Sequence, residues 1–497
     1  MLKDIKTILV ANRGVVAKRI MQTCKEMGLK TIGLYTEQDS DIQYLPFADK
    51  VIEVEKLNHI SGYMNKERII EIALENNAAI HPGYGFLSEN ELFARACQSA
   101  NVKFIGPCPE ALHIAGNKIV SQELLLKNNI PVIPSFSYTG NHSDIFNKAA
   151  EIGYPLLIKP AHGGGGIGMV IVEDESKLES SLHNSSLLAK QYFGDDSLLV
   201  EKYLSGAKHI EVQLIADQHG NSLHLFEREC SMQRRKQKVI EEALSPSLDI
   251  TQREELYELA LKISKIIHLD NIGTIEFLFY NNQFYFLEIN PRLQVEHAVT
   301  EELTGIDLVE WQIRIVAGET INEARKNHLT HGHCIEARIY AEEPHTFLPR
   351  PGNIDYISLP DGKGIRIESA IWQGCKVPEE YDPLLMKIIC RGKNREQARY
   401  RLIMALQNLD INGTVKVNTM ALLAGLKSES FISGNYNTES FETINPDENV
   451  NTWEKELAGI LGITAEKKEK NNQAKSFSKN NNASYWKPNF WHKRETW

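Results

Sequence analysis

The chain has 497 residues, too many for a single compact core, so about two to four domains are expected. Its hydrophobic share of 42% and charged share of 24% are those of a globular protein, which excludes a wholly disordered chain. The formal net charge of −10 argues against a nucleic-acid-binding protein.

Cysteine usage and the N-terminus bear on the cellular compartment. The seven cysteines are scattered and form no CxxC pair, which is typical of a reducing cytosol. Residues 1–6 lack the apolar stretch of a signal peptide and the Arg- and Ser-rich composition of a transit peptide. No apolar run approaches the roughly 18–20 residues that span a bilayer. These features predict a cytoplasmic protein without a membrane segment.

The first region alternates strands and helices. A helix is predicted from Gly14 to Met27, with Gly28 as its cap. Strands are predicted at 8–10, 31–35, 78–80 and 103–105. Such alternation predicts a parallel sheet with crossover helices, in a domain that ends near residue 114.

Two further regions and a tail follow. The second region is α/β, with a hairpin at 274–290, a helix at 308–317 and strands at 156–159, 169–172, 198–200 and 210–216. The third, from about 334 to 446, alternates strands and turns before a helix near 396–408. After about residue 463, Lys, Asn and Ser dominate, which predicts a disordered tail.

The run His162–Gly168 is rich in glycine, and Gly163, Gly165 and Gly168 match the pattern GxGxxG. A dinucleotide-binding fingerprint opens a helix, whereas this run lies between two predicted strands, and no GK[ST] follows it. The remaining functional interpretation is a mobile lid whose backbone N–H groups fold over phosphates, with Lys159 adding positive charge. A flexible loop without a ligand stays open as the alternative.

Two apolar-rich runs joined by Asn281–Gln283 predict a β-hairpin with a three-residue loop. The register that follows from this loop pairs Tyr280 with Phe284, Leu278 with Phe286 and Glu276 with Glu288. Two carboxylates directly opposite each other repel, but a Mg²⁺ held between them would reverse the sign of that interaction. Asn290 adds a neutral oxygen ligand on the same face. A solvent-facing pair with its charges apart is the alternative.

The segment that leaves this hairpin carries a cation, an amide and a carboxylate. Arg292 and Gln294 suit a small oxyanion, and Glu296 suits a base that takes a proton from it. A structural ion pair between Arg292 and Glu296 stays open. The basic cluster Arg234–Lys238, followed by Glu241 and Glu242, is either a lining for phosphates on a partly buried strand or a solvated face.

Seven segments resemble, in the same order, motifs of the biotin carboxylase family, over about residues 5–446. They are Ile8–Gly14, His81–Asn90, Glu201–Tyr203, His209–Gln213, Cys230–Arg235, Glu288–His297 and Tyr381–Pro383. The run through His297 is specific to this branch of the ATP-grasp superfamily.

The resemblance implies an α/β fold, α+β in part, built on an ATP-grasp domain. The implied domains are a Rossmann-like pre-ATP-grasp domain at 1–114, the ATP-grasp domain at 115–330 with a lid at about 131–203, and a C-terminal biotin carboxylase domain at 331–446. Residues 447–497 are an extension, disordered beyond about 463.

The resemblance also implies roles for individual residues. ATP binding is implied for Lys118, Lys159, Gly164, Gly165, Gly166, Glu201, Lys202, Leu204, His209, Gln233, Lys236 and Leu278. Binding of Mg²⁺ or Mn²⁺ is implied for Glu276, Glu288 and Asn290, and binding of bicarbonate for Lys238, Arg292, Gln294 and Val295. Glu296 matches the general base and Arg338 the arginine that stabilises the biotin enolate; Lys238 and Arg292 complete the catalytic set.

The implied reaction is ATP-dependent carboxylation of biotin with bicarbonate through carboxyphosphate. Its implied partners are a biotin carboxyl carrier protein and a carboxyltransferase, and the subunit is expected to be a homodimer. The family's biotinylated Met-Lys-Met triplet is absent, since Ile388 follows Lys387, so biotin is expected on a separate chain. Another carboxyphosphate-forming ATP-grasp ligase and a non-catalytic ATP-binding subunit stay open, and the final carboxyl acceptor is not decided.

Several positions depart from the family's usual residues. They are Val15, Ile167, Lys236, Leu244 and Ser245, and none of them is an implied catalytic group. The tail ends in an aromatic and basic cluster, Ser484–Trp497, which predicts a docking segment for a partner subunit. An inert extension is the alternative.

Overall fold

The computed structural model describes residues 5–39, 44–55, 62–140, 144–162, 168–326 and 328–449. The predicted glycine lid tip and the predicted docking segment lie outside these residues. The chain divides into two compact units, Met1–Pro446 and Asp447–Trp497, and the elements below belong to the first, apart from the 3-10 helix that begins at Pro446. None of the helices in the described ranges combines the length and apolar character needed to cross a bilayer.

The N-terminal part contains a four-stranded parallel sheet in the order β3-β2-β1-β4. Its elements are β1 (Thr7–Val10), α1 (Gly14–Glu26), β2 (Lys30–Tyr35), β3 (Lys50–Glu53), α2 (Lys66–Glu75), β4 (Ala79–His81) and α3 (Glu91–Ser99). The predicted parallel sheet is confirmed. The strand predicted at 103–105 is only an isolated bridge from Phe104 to Ile80, because the chain turns away at Gly106 and Pro107.

A second four-stranded sheet, in the order β5-β8-β6-β7, is antiparallel. It follows the helices α4 (Pro109–Gly116) and α5 (Lys118–Lys127). Its elements are β5 (Ser135–Tyr138), α6 (Ile145–Ile152), β6 (Leu156–Pro160), β7 (Val170–Val172), α7 (Leu178–Phe193) and β8 (Leu198–Lys202). It spans the region predicted as the lid.

The largest sheet has eight antiparallel strands in the order β13-β12-β9-β10-β11-β14-β17-β16. Its strands are β9 (Lys208–Ala216), β10 (Ser222–Arg234), β11 (Gln237–Ala243), β12 (Ile272–Tyr280), β13 (Gln283–Asn290), β14 (His333–Tyr340), β16 (Ile365–Ser369) and β17 (Leu384–Gly392). The β11–β14 pairing joins the predicted second and third regions in one sheet.

The remaining elements cover or extend this sheet. They are α8 (Ile250–Ile266), α9 (His297–Thr304), α10 (Leu308–Val316), α11 (Asn322–Lys326), β15 (Ile354–Ser358), α12 (Arg395–Asn408), β18 (Asp410–Gly413), α13 (Thr419–Lys427) and α14 (Glu429–Ser433). Short 3-10 helices lie at Glu37–Asp39, Leu45–Phe47, Gly62–Met64, Glu175–Lys177, Ser440–Thr443 and Pro446–Asn449.

The packing follows from helical and strand periodicity. On α12 the apolar residues Ala398, Leu402 and Leu406 recur every four positions and are buried in one core with Ile335 on β14 and Ile388 on β17. All eight residues of β14 are buried. Polar side chains on β14 therefore face other protein groups or the cavity rather than bulk solvent.

The β12–β13 hairpin corrects the predicted register. Its loop is the two-residue turn Asn281-Asn282, both residues with positive φ, rather than three residues. The structure pairs Tyr280 with Gln283, Phe279 with Phe284, Leu278 with Tyr285 and Phe277 with Phe286, so the predicted Tyr280–Phe284 and Leu278–Phe286 pairs are wrong. A β-bulge then leaves Leu287 of β13 without a paired residue on β12, and this shift restores the predicted Glu276–Glu288 pair.

Candidate active site

A cavity of about 330 Å³ is lined by side chains from the sheet β5-β8-β6-β7, from the eight-stranded sheet and from segments next to them. It brings together all the site residues predicted from the sequence that fall in the described ranges. They are Lys118, Lys159, Glu201, Lys202, Leu204, His209, Gln233, Lys236, Lys238, Glu276, Leu278, Glu288, Asn290, Arg292, Gln294, Val295, Glu296 and Arg338. Gly164–Gly166 lie outside the described residues. The individual roles stay predictions.

Three carboxylates lie in a row across neighbouring strands. Glu211 on β9 is opposite Glu276 on β12, which is opposite Glu288 on β13. Residues paired in this way have Cβ atoms about 4.5–5.5 Å apart, so like charges repel unless a cation compensates. Glu211 was not predicted, although it lies two residues after His209 on the same face of β9.

Lys238 supplies compensating charge to this row. Its Nζ donates to Glu211 Oε2 at 2.6 Å, Glu276 Oε1 at 2.8 Å and Glu296 Oε1 at 2.7 Å. Burial alone would lower the pKa of Lys238, but the three carboxylates raise it well above its usual value. The ammonium group is therefore charged at neutral pH.

Glu276 is held by further donors. Its Oε1 accepts from Nδ2 of Asn290 at 2.7 Å and Nε2 of Gln294 at 3.0 Å, and its Oε2 lies 2.7 Å from Nε2 of His209. Burial would raise the pKa of Glu276, but Lys238 and His209 lower it below its usual range. This carboxylate is thus ionised and fixed in orientation.

The predicted metal edge fits a divalent cation. Glu288 makes no hydrogen bond or ion pair with any described residue, and Oδ1 of Asn290 accepts from Nη2 of Arg292 at 3.0 Å. Hard cations such as Mg²⁺ take carboxylate and amide oxygens. Glu276, Glu288 and Asn290 offer that donor set beside the cavity.

Glu296 is fully buried between two cations. Its Oε1 accepts from Lys238, and its Oε2 accepts from Nη2 of Arg338 at 2.9 Å. Burial would raise the pKa of Glu296, but Lys238 and Arg338 lower it well below its usual value. The alternative pair between Arg292 and Glu296 is wrong, because Nε of Arg292 contacts Glu89 at 2.5 Å and Glu296 is held by the other two cations.

The residues predicted to hold ATP phosphates lie near one another. Lys159 forms an ion pair with Glu201, which also accepts from Nε2 of Gln122 at 2.6 Å. Burial lowers the pKa of Lys118, an effect that Glu288 opposes and Lys159 reinforces. A buried lysine beside a second lysine suits an anionic ligand.

The predicted adenine and ribose residues are held by local contacts. Nζ of Lys202 donates to the carbonyl oxygens of Gly153 at 3.0 Å and Tyr154 at 2.8 Å, so its ammonium group binds the backbone between α6 and β6. Nε2 of Gln233 lies 2.7 Å from Nδ1 of His209. These contacts place the backbone of β8 and the imidazole of His209 at the cavity wall.

The residues of the basic cluster Arg234–Lys238 lie in two different environments. Arg234 pairs with Glu342 at 2.8 Å, away from the cavity lining, whereas Lys236 and Lys238 line the cavity. Lys236 lies over the ring of Tyr203, with Nζ 5.3 Å from its centroid. Glu241 and Glu242 are fully buried, so the solvated-face alternative is wrong for them.

Other residues near the site were not predicted. Tyr340 and Asp382 line the cavity. Tyr340 lies two residues after Arg338 on β14, and Asp382 belongs to the quoted segment Tyr381–Pro383, so both positions carried a signal. The fully buried Lys387 donates to the carbonyl of Val295 at 2.5 Å, a contact that local sequence does not reveal.

Comparison with known proteins decides the family. A model described as "Biotin carboxylase, N-terminal domain" matches residues 4–112 and one described as "Biotin carboxylase C-terminal domain" matches 336–443. Between them, "Carbamoyl-phosphate synthase L chain, ATP binding domain" matches 117–324. Biotin carboxylase 2 of Bacillus subtilis (strain 168) is 45% identical over 435 residues, 87% of this chain and 98% of the relative. This chain belongs to the biotin carboxylase family.

Solved biotin carboxylase structures share the fold. The biotin carboxylase–β,γ-ATP complex from Campylobacter jejuni superposes with a TM-score of 0.85 at 42% identity, covering 88% of this chain and 98% of that one. The biotin carboxylase domain dimer of Hydrogenobacter thermophilus 2-oxoglutarate carboxylase, with MgADP, ADP and bicarbonate, gives 0.85 at 40% identity, covering 88% and 97%. The predicted ATP-grasp fold class is confirmed.

Proposed function

We propose that this protein uses MgATP and bicarbonate to carboxylate biotin on a separate carrier protein. One observation carries the proposal: Glu296, a buried and ionised carboxylate, lies between Lys238 and Arg338 in a cavity that is also lined by Glu276, Glu288 and Asn290, the residues predicted to hold a divalent cation. A base beside two cations suits a reaction in which one small anion is deprotonated and a second anion forms.

The first step activates bicarbonate. Glu296 removes its proton, and one of its oxygens attacks the γ-phosphorus of ATP, so that ADP leaves and carboxyphosphate forms. Lys238, Arg292, Gln294 and the backbone of Val295 hold the bicarbonate, since a cation and an amide satisfy its oxygens.

The nucleotide is held by the remaining residues. Lys118 and Lys159 face the phosphates, and Glu276, Glu288 and Asn290 would hold a Mg²⁺ or Mn²⁺ ion. That ion would neutralise phosphate charge. The adenosine end is assigned to Glu201, Lys202, Leu204, His209, Gln233, Lys236 and Leu278, and the lid over the phosphates to Gly164–Gly166.

The second step carboxylates biotin. Carboxyphosphate breaks down to CO₂ and phosphate, the phosphate takes the ureido N–H proton, and the resulting nitrogen nucleophile attacks CO₂. Arg338 stabilises the enolate-like oxygen of deprotonated biotin. Because carboxyphosphate hydrolyses readily, water must be kept out while both steps proceed.

The carrier is assigned to another chain. Lys387, the lysine in the Met-Lys context closest to the family's biotinylated triplet, is fully buried and bonded to Val295 and Glu368. A lysine in that setting is inaccessible to a biotinylating enzyme. This supports a carrier that enters the cavity in trans.

The assembly, compartment and domain bounds complete the proposal. The protein acts as a homodimer in the cytoplasm, with a carrier protein and a carboxyltransferase as partners. Its functional parts are residues 1–114, 115–330 and 331–446, followed by the extension 447–497.

The test measures ATP hydrolysis by the purified protein with bicarbonate and either biotin, ammonia or neither. The expected result is turnover that requires both bicarbonate and biotin, and is faster with a biotinylated carrier domain than with free biotin, because the carrier adds binding energy. Glu296→Gln is expected to abolish turnover, and Glu67→Gln, an exposed position on α2, serves as its control.

Two outcomes would overturn the proposal. Turnover stimulated by ammonia rather than biotin would identify another carboxyphosphate-forming ligase. Nucleotide binding without any turnover, in a protein correctly folded by circular dichroism, would identify a non-catalytic ATP-binding subunit.

A further inference from the structure

Two carboxyl groups lie together behind Arg338. Glu241 on β11 is directly opposite Glu336 on β14, and both side chains are fully buried. Arg338 follows Glu336 by two residues and therefore shares its face of β14. Paired positions of this kind bring short side chains into contact, so two ionised carboxylates here would repel strongly.

Neither group has enough donors to be ionised without cost. Both carboxyl oxygens of Glu336, and Oε2 of Glu241, lack a hydrogen-bond donor among the described residues. Glu241 has one close cation, with Oε1 at 2.5 Å from Nε of Arg338. Within the described part of the chain, the one ion-pair partner of Glu336 is Lys387 at 3.6 Å, and that ammonium group lies closer to Glu368, at 2.8 Å.

The ion-pair distances leave Glu336 with the weakest cationic partner among Glu241, Glu296, Glu336 and Glu368. Arg338 pairs with Glu241 and Glu296, and Glu368 pairs with Lys387 at 2.8 Å and with Arg366 at 2.5 Å. A poorly paired buried carboxylate is costly, and such a group takes up a proton instead. A protonated carboxyl at Glu336 would also carry a hydrogen-bond donor toward Glu241, its neighbour across the strands.

We propose that Glu336 is held in its protonated form and that ionised Glu241 is a positioning residue, which fixes Arg338 from behind for the biotin step. The inference rests on the proposed function, because it assigns Arg338 to that step. With one anion rather than two beside it, less of the guanidinium group's positive potential is cancelled at the oxygen of biotin.

The surroundings of the pair agree with this assignment. Burial raises the pKa of both groups above its usual value, although Arg338 opposes the effect for Glu241 and Lys387 opposes it for Glu336, where the charges of Glu241 and Glu368 add to it. The charged and titratable groups of the described residues that face the pair are Cys230 on β10, Lys238 on β11, Cys334, Arg338 and Tyr340 on β14, Lys387 on β17, Glu368 on β16, Glu296 after β13 and Tyr84 after β4.

Two isosteric variants form a matched pair for the test. Glu336→Gln replaces a protonated carboxyl with a neutral amide and is expected to keep the rate of biotin carboxylation within about threefold. Glu241→Gln removes the anion behind Arg338 and is expected to lower that rate on the order of 100-fold. Both variants are made in the full-length protein, at equally buried positions.

The ratio of ATP cleaved to biotin carboxylated separates positioning from general damage. In Glu241→Gln bicarbonate activation by Glu296 continues while biotin capture fails, so the ratio is expected to rise. A parallel fall of both rates, at an unchanged ratio, would overturn the positioning role. Equal loss in Glu241→Gln and Glu336→Gln would overturn the assignment of the proton.

Infrared spectroscopy tests the proton without relying on activity. At neutral pH the wild-type protein is expected to show a protonated-carboxyl C=O band that Glu336→Gln loses and that Glu67→Gln, the exposed control, keeps. An unchanged band in Glu336→Gln would overturn the inference. A wild-type protein that shows this band but does not carboxylate biotin would instead overturn the proposed function.

Discussion

Replacing Lys238 with methionine tests how the site keeps its base ionised. Nζ of Lys238 lies 2.6–2.8 Å from oxygens of Glu211, Glu276 and Glu296, and methionine has similar length without the charge. Although burial opposes it, this lysine is the strongest of the influences that lower the pKa of Glu296. Lys238→Met is therefore expected to raise that pKa.

The size of the lost interaction follows from Coulomb's law. Unit charges about 4 Å apart attract by about 4 kcal/mol at an effective dielectric constant near 20. Removing that attraction leaves burial less opposed, so the pKa of Glu296 should rise. The reaction needs the ionised carboxylate, so Lys238→Met is expected to lose activity as the pH falls through this raised pKa, where the wild type remains ionised.

The assay is the pH dependence of bicarbonate-dependent ATP cleavage, normalised to each protein's maximum. Lys236→Met is the matched control, because Lys236 contacts Tyr203 and none of the three carboxylates. It is expected to affect nucleotide affinity but not the acid limb. The reasoning would be refuted if the acid limb of Lys238→Met coincided with that of the wild type, or if both variants shifted alike.

Further predictions concern the metal edge, a buried cation and the tail. Glu288→Gln should raise the magnesium concentration needed for half-maximal turnover, whereas Glu296→Gln should leave MgADP affinity unchanged in calorimetry; equal losses of binding would contradict that division of roles. Arg228→Met removes a fully buried cation that pairs with Glu211, and should destabilise the protein by about 3–5 kcal/mol, lowering its thermal midpoint; an unchanged midpoint would mean the pair is not ionised. Deleting residues 463–497 should leave carboxylation of free biotin unchanged and weaken co-purification with the partner subunits; unchanged assembly would contradict a docking role.

The β12–β13 hairpin shows how much of a local structure can be predicted from the sequence pattern alone. The runs on either side of the turn were placed correctly, because apolar strands flanking two asparagines give a strong hairpin signal. The predicted register of the two strands was wrong. Both strands are apolar along their length, so the pairing is weakly specified; the residues responsible are Phe277, Phe279, Phe284 and Phe286. The carboxylate pair was nevertheless predicted, because the bulge at Leu287 offsets the error in the loop.

The contacts within the site are of two kinds, those between residues close in the sequence and those between residues far apart in it. Glu288, Asn290, Arg292, Gln294 and Glu296 follow one another along one segment, so their proximity could be predicted from the sequence. Contacts between strands that are distant in the sequence could not be predicted in this way.

The Glu241–Glu336 pair illustrates the second case. It depends on the register between β11 and β14, two strands whose pairing joins regions that composition had separated. A charged pair of residues in sequence, such as Glu241-Glu242, also looks like a solvated surface until the sheet buries it.

The basicity of Glu296 depends on the cations that contact it. While Lys238 and Arg338 both contact Glu296, its carboxylate is ionised but a poor acceptor of protons, because each cation stabilises the charge. In the proposed mechanism, bound bicarbonate would compete for Lys238 and bound biotin would compete for Arg338. Each substrate that draws a cation away raises the basicity of Glu296, so proton transfer becomes favourable when the cavity is occupied. A base regulated by its own ion pairs in this way would limit ATP cleavage in the absence of biotin.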